Sequence, residues 1–109
     1  MAYDEELAER LRNAVEDQPH ISERKMFGGL CFLLRGNMCL GVVREELMVR
    51  VGPLAYEESL LQPHAREMDF TGRPLKGMVY VSAEGLESDD DLLEWVRRGT
   101  DFARALPAK

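Results

Sequence analysis

Long apolar runs, paired cysteines and clustered histidines are all missing from this sequence, and each absence removes a class of function. No stretch approaches the ~20 consecutive apolar residues that a membrane-spanning helix needs. The opening residues Met1-Ala2-Tyr3-Asp4-Glu5-Glu6 are acidic. They have neither the basic start nor the apolar centre of a secretion signal, so a cytoplasmic protein is expected. The two cysteines, Cys31 and Cys39, lack the Cys-x-x-Cys spacing of zinc and redox sites and sit inside apolar runs. There they act as small buried hydrophobes, reduced and unbridged. His20 and His64 each follow a proline in a loop, and neither has a second ligand at helical spacing. No Gly-x-Ser-x-Gly elbow and no phosphate loop ending in Lys-Ser/Thr is present. Asp89-Asp90-Asp91 opens a helix, where three adjacent acids point in different directions and serve as caps rather than as a cation site. No catalytic residue, cofactor, metal or small-molecule substrate is expected.

The chain that remains is 109 residues long, 45% hydrophobic and 31% charged, which suits one globular domain spanning residues 1–109. Folding buries roughly two thirds of the surface of such a chain, enough to stand without staples. The net charge of −6 argues against general affinity for nucleic-acid backbones. The charge is unevenly spread: residues 1–23 carry −5, residues 24–82 carry +2 and residues 83–109 carry −3. Acidic flanks enclose a mildly basic centre.

Leu7, Leu11, Ala14 and Val15 recur at helical spacing, so a first helix is predicted from about Asp4 to Asp17, capped by Asp4 and ended by Gln18-Pro19-His20. Strands follow at 30–34, 38–43 and 47–51, the first two joined by a Gly36-Asn37 hairpin. Gly52-Pro53 opens a short helix containing Tyr56, Leu60 and Leu61. A fourth strand at 68–70 turns through Gly72-Arg73-Pro74 into a fifth at 77–81. Ser88 and Asp91 resemble a capping box ahead of a stripe of Leu92, Val96, Gly99, Ala103 and Leu106. The order α-β-β-β-α-β-β-α predicts a two-layer α+β fold with an antiparallel sheet.

The hairpin also predicts faces. A Gly36-Asn37 loop pairs Cys31 with Val42 and puts Cys31, Leu33, Met38, Leu40, Val42, Leu47, Val49 and Val51 together. Leu30, Phe32, Leu34, Cys39, Val43, Met48 and Arg50 then share the other face, so the two cysteines lie on opposite sides. Both faces are apolar, and helices cover only one. The second needs a wrapped helix, a second subunit or another protein over it. Phe32, Leu34, Val43 and Met48 are the candidate partner-binding residues. On this reading, aspartate at 32 and 43 weakens self-association and leaves the monomer folded.

The segment Arg24-Lys25-Met26-Phe27-Gly28-Gly29 stands out. Paired glycines entering a strand mark a bulge or a close backbone approach, and a backbone nest for an anion beside Arg24 and Lys25 is the alternative. With the apolar strand after it and Met38-Cys39-Leu40-Gly41-Val42-Val43, this motif resembles the N-terminal domain of the TfoX (Sxy) family. Leu47-Met48-Val49-Arg50-Val51-Gly52, the run from Met68 to Gly77, and Leu92-Leu93-Glu94-Trp95-Val96 extend the likeness over nearly the whole chain. The resemblance implies a fold like those of type III secretion chaperones and YjbR-like proteins, and a non-enzymatic role. Full-length members are bacterial regulators of competence that act in transcription alongside the cyclic-AMP receptor protein. They carry a second, C-terminal domain, whereas this sequence ends at Lys109 after the first.

Three readings follow. The first is a protein-binding module, with a protein partner or a homodimer. The second is a direct nucleic-acid binder using Arg24, Lys25, Arg50, Arg73 and Lys76, against which net acidity and the lack of interleaved aromatics count. The third is a small enzyme of unrecognised type, which needs a pocket with convergent polar groups.

Overall fold

The computed structural model describes residues 3–26, 28–69 and 76–108. A helix α1 (Glu5–Ala14) leads into four strands, β1 (Ile21–Met26), β2 (Gly29–Leu34), β3 (Asn37–Val43) and β4 (Glu46–Arg50). A short α2 (Tyr56–Leu60), strands β5 (Ala65–Glu67) and β6 (Met78–Val81), a 3-10 turn (Ala83–Leu86) and α3 (Asp89–Arg104) complete the order. The strands form one antiparallel sheet in the order β1-β2-β3-β4-β6-β5. The expected elements occur in the expected order within an α+β fold, and one further strand, β1, joins them at the sheet edge. Its central residues Ser22, Glu23, Arg24 and Lys25 are exposed and three of them are charged, as in edge strands that avoid stray pairing. That composition hides it from a search for apolar alternation. The fourth strand lies at 65–67 rather than 68–70; Phe70 and the Gly72-Arg73-Pro74 turn fall outside the described residues.

Both long helices start where their caps predict. The Asp4 carboxylate accepts from the N–H groups of Glu6 and Leu7 at 2.9 and 3.2 Å, and Ser88 Oγ accepts from Asp91 N–H at 3.1 Å. α1 buries Leu7, Ala8 and Leu11, and α3 buries Leu92, Trp95, Val96, Gly99, Thr100 and Ala103, in one core with the sheet. The middle helix departs from expectation. Pro53 does not open it; it begins at Tyr56, and Leu61 is exposed beyond its end.

The β2–β3 hairpin turns one residue earlier than expected. Leu34 pairs with Asn37, so Arg35 and Gly36 form the loop, with φ of 54° and 83°. Positive φ at both central residues is the turn that matches strand twist, and here an arginine accepts it. Asn37 is instead buried, its side-chain amide donating to the Pro107 carbonyl at 2.9 Å. A register shift follows between Phe32 and Leu33, a bulge that places Cys39 as an extra residue in β3.

The bulge alone reassigns β2, because a two-residue loop moved by one position keeps the same residues on each face. Leu30, Phe32 and Leu34 pack with Leu40, Val42, Leu47 and Val49 under the helices, while Cys31 and Leu33 lie on the other side. That second side is a small core of its own, containing Val43, Met48, Met68, Met78 and Tyr80, with Met26 and Met38 packed against it. Its fully enclosed members show at most 8% exposure within one chain, so no further subunit is needed to cover it. Five of the six methionines gather there, where an unbranched thioether fills gaps that branched residues leave.

Cys31 and Cys39 are unbonded, buried and in opposite cores, as expected. Burial pushes the Cys31 thiol up to about 11 and the Cys39 thiol up to about 12, from an ordinary value of 9.0. Neither is a ready nucleophile at neutral pH. We expect no thiol to react with Ellman's reagent in the native protein at pH 8, and two to react after denaturation. Because both values are raised on folding, these thiols leave stability flat below pH 9; above it the unfolded chain loses its protons first and stability falls. Rapid native labelling contradicts this packing.

Candidate functional site

The four apolar residues expected to bind a partner do not form a surface. Phe32 (1% exposed) and Leu34 lie under the helices, Val43 and Met48 in the second core, and all four are buried. The bulge at Cys39 splits them. The basic candidates are equally dispersed. Arg24 and Lys25 lie exposed on edge strand β1, paired with Cys31 and Leu30 and hence on opposite faces. Arg50 ends β4, Lys76 lies two residues before β6, and Arg73 is outside the described residues. β1 and β4 are three strand spacings apart, roughly 14 Å. No continuous basic stripe forms among the described residues.

The Arg24-to-Gly29 motif has a structural explanation. Met26 pairs with Gly29, and Gly28 adopts φ 74°. A Cβ at Gly29 would lie 2.1 Å from the Val42 carbonyl oxygen. This is close backbone approach within a hairpin.

His20 and His64 are exposed on turns, with φ of 66° and 68°. Among the described residues no three His, Cys, Asp or Glu side chains gather as a metal would require. An open hollow of about 610 Å³ beside the N-terminus is lined, among the described residues, by Tyr3 and the charged Asp4, Arg44, Glu45 and Glu46.

A groove with an apolar floor lies elsewhere, and it is built from the end of β4. Val51 and Gly52 both donate their N–H groups to the Gly77 carbonyl, at 2.8 and 3.0 Å, tying the chain to the start of β6. Gly52 then takes φ 87°, and its missing side chain makes room for the Phe102 ring, 2.4 Å from where a Cβ would sit. This turn lifts Pro53 and Leu54 off the surface before α2 begins. Leu54 is 101% exposed and Leu61, at the other end of α2, is 83% exposed.

Between the 53–55 turn and α3 lies a groove of about 500 Å³, with Val51, Pro53, Leu54, Ala55 and Phe102 as its apolar lining. Charged pairs border it. Arg98 bonds Glu58 and Ser59 Oγ, each at 2.9 Å, which clamps α2 to α3. Arg97 pairs with Glu94, and Arg104 with Asp101 at 2.9 Å. The Arg98 hydrogen bond holds Glu58 below the usual carboxylate range, so it stays ionised and engaged. Arg98 also lies 5.0 Å over the Trp95 ring, which fixes its orientation. The arrangement offers a shaped apolar surface with its carboxylates occupied, suited to holding a side chain and not to moving a proton.

Leu54 was not distinguishable in the sequence. It sits two residues from helical positions that are truly buried, and only the start of α2 at Tyr56 separates it from them. The available signal was the Gly-Pro pair before it, which marks a turn as readily as a helix start.

Residues 13–103 match the family model of the TfoX N-terminal domain. That span holds all six strands, α2 and nearly all of α3, and so the whole groove. No curated protein matches the chain.

Proposed function

The chain belongs to the TfoX N-terminal domain family, and from that premise we propose that it is a non-enzymatic protein-binding module whose contact surface is the groove between the 53–55 turn and α3. The observation that carries this reading is Leu54, held fully in water on the lip of an apolar groove. A single exposed leucine is ordinary. One that a positive-φ glycine and a proline lift beside an open apolar lining is an anchor awaiting a pocket, since burying it is worth roughly 1.5–3 kcal/mol.

The non-enzymatic part rests on chemistry. The thiols are buried in their protonated form, the histidines lie on separate exposed turns, and the groove carboxylates are tied to arginines. A cytoplasmic role in regulating transcription or competence is the finer reading, and its support is the family resemblance. No helix among the described residues is long and apolar enough to cross a membrane.

The test is affinity capture from the native cell with wild-type protein and Leu54→Glu in parallel. Leu54 makes no core contact, so the variant keeps its melting temperature. Proteins captured by the wild type should be depleted at least tenfold with the variant. Equal capture by both places the binding surface elsewhere.

A further inference from the structure

We propose that the segment after α3, residues 105–108, is a latch that holds the β2–β3 hairpin in a strained register, and that releasing it moves the turn. The device stands apart from the groove and does not depend on it. Three contacts at one end of the sheet carry the inference. Asn37, 2% exposed, donates its side-chain amide to the Pro107 carbonyl at 2.9 Å. Beyond the helix end's own backbone bonds, this is the one hydrogen bond among the described residues that holds 105–108. Arg104 Nη2 donates to Gln18 Oε1 at 2.9 Å, so the end of α3 also grips the turn between α1 and β1. The Arg35 N–H donates to the His20 carbonyl at 3.0 Å, which joins that turn to the hairpin.

Strain sits on both sides of that last bond. His20 and Arg35 take φ of 66° and 54°, the left-handed region that residues other than glycine and asparagine seldom adopt. The hairpin carries a second irregularity in the extra residue Cys39 of β3. A relaxed alternative is available to the same residues. With Asn37 drawn out of β3, Arg35-Gly36-Asn37 makes a three-residue loop, a common hairpin connection, with asparagine at its left-handed position. Leu34 then faces Met38, Leu33 faces Cys39, and the ladder rejoins the observed pairing of Phe32 with Leu40 without a bulge. Every pair beyond Phe32 and Leu40 keeps its partner, so the change is confined to residues 33–39.

The observed turn requires Asn37 to stay in the strand, and the Pro107 carbonyl is what its buried amide bonds there. On release, Asn37 moves into the loop and Met38 takes its place under the helices. Cys39 leaves the helical core and joins Cys31 and Leu33 in the second one. An element with two discrete arrangements couples the segment that biases it to the sheet. Ala105, Pro107 and Ala108 are exposed, so the latch is accessible from solvent.

Solution NMR of the full chain tests this. In the wild type, cross-strand nuclear Overhauser contacts should join Leu33 to Met38. Asn37→Asp removes the amide donor and sets a carboxylate against the Pro107 carbonyl. Asn37→Gly removes the donor without adding charge and suits the left-handed loop position. In both variants the Leu33 contacts should pass from Met38 to Cys39, and the backbone heteronuclear NOE of residues 106 and 108 should fall by at least half. Adding Arg35→Gly to Asn37→Asp should return Leu33 to Met38 while the segment stays free, because glycine removes the strain of the two-residue turn. A freed segment with Leu33 still opposite Met38 in both single variants overturns the latch, as does a segment and hairpin that both stay unchanged. A moved hairpin that Arg35→Gly fails to return overturns strain as the cause. Loss of the fold in both single variants makes Asn37 a purely structural residue and overturns the device.

Discussion

Phe32→Asp unfolds the protein. Phe32 is 1% exposed in the middle of β2, inside the core that α1 and α3 close. Removing a buried aromatic side chain costs about 3–5 kcal/mol. The aspartate adds a carboxylate with no cation or donor to receive it, a penalty of several kcal/mol even if it takes up a proton. Together these reach the whole stability of an ordinary domain, about 5–15 kcal/mol. The far-UV circular dichroism of the variant should show no cooperative melt above 25 °C. The sequence alone suggested the reverse, that this substitution spares the monomer and loosens a dimer. A folded variant with a native melt restores that earlier reading and contradicts the hairpin register.

The second large effect falls on a glycine. A methyl group at Gly29 would lie 2.1 Å from the Val42 oxygen and 3.1 Å from the Val42 carbonyl carbon and the Val43 Cα, all backbone atoms of the neighbouring strand. Backbone held in a ladder on both sides cannot swing aside as a side-chain tip does. Gly29→Ala must spread β2 from β3 and should cost about 3 kcal/mol or more. For a domain of this size that lowers the melting temperature by roughly 10–20 °C. Gly28→Ala is the matched control. Its φ of 74° is strained for alanine, but nothing lies within 4 Å of the added carbon, so only about 1–2 kcal/mol is lost. Thermal melts that rank Gly28→Ala as the worse variant contradict the close approach. The paired glycines of the most unusual motif thus do different work: the first allows a turn, the second allows contact.

What the sequence made legible was local. Asp4 and Ser88 mark helix starts because their side chains satisfy nearby N–H groups, and both do so here. The stripe of α3 and the burial of both thiols follow from periodicity and composition. The family likeness read from the glycine motif and the strands after it agrees with the match over residues 13–103.

What stayed hidden depended on tertiary context. Gly36-Asn37 is the stronger turn signal in isolation, yet Arg35 takes the left-handed position because Asn37 is held by Pro107, seventy residues away. That step left the faces as expected; the bulge at Cys39 is what moved Phe32 and Leu34 to the opposite face. β1 was invisible because nothing in Ser22–Lys25 is apolar; its pairing comes from β2. The groove was unreadable for the same kind of reason: Gly52, Phe102 and Gly77 meet only in the folded chain.

The binding role of the Leu54 lip is tested most directly by photo-crosslinking in the native cell. A benzophenone side chain is placed at position 54 in one sample and at the exposed position 87 in another. Irradiation should yield discrete protein adducts from position 54 that are absent from position 87. The same adducts from both positions, or adducts from 87 with none from 54, contradict a binding surface at the groove.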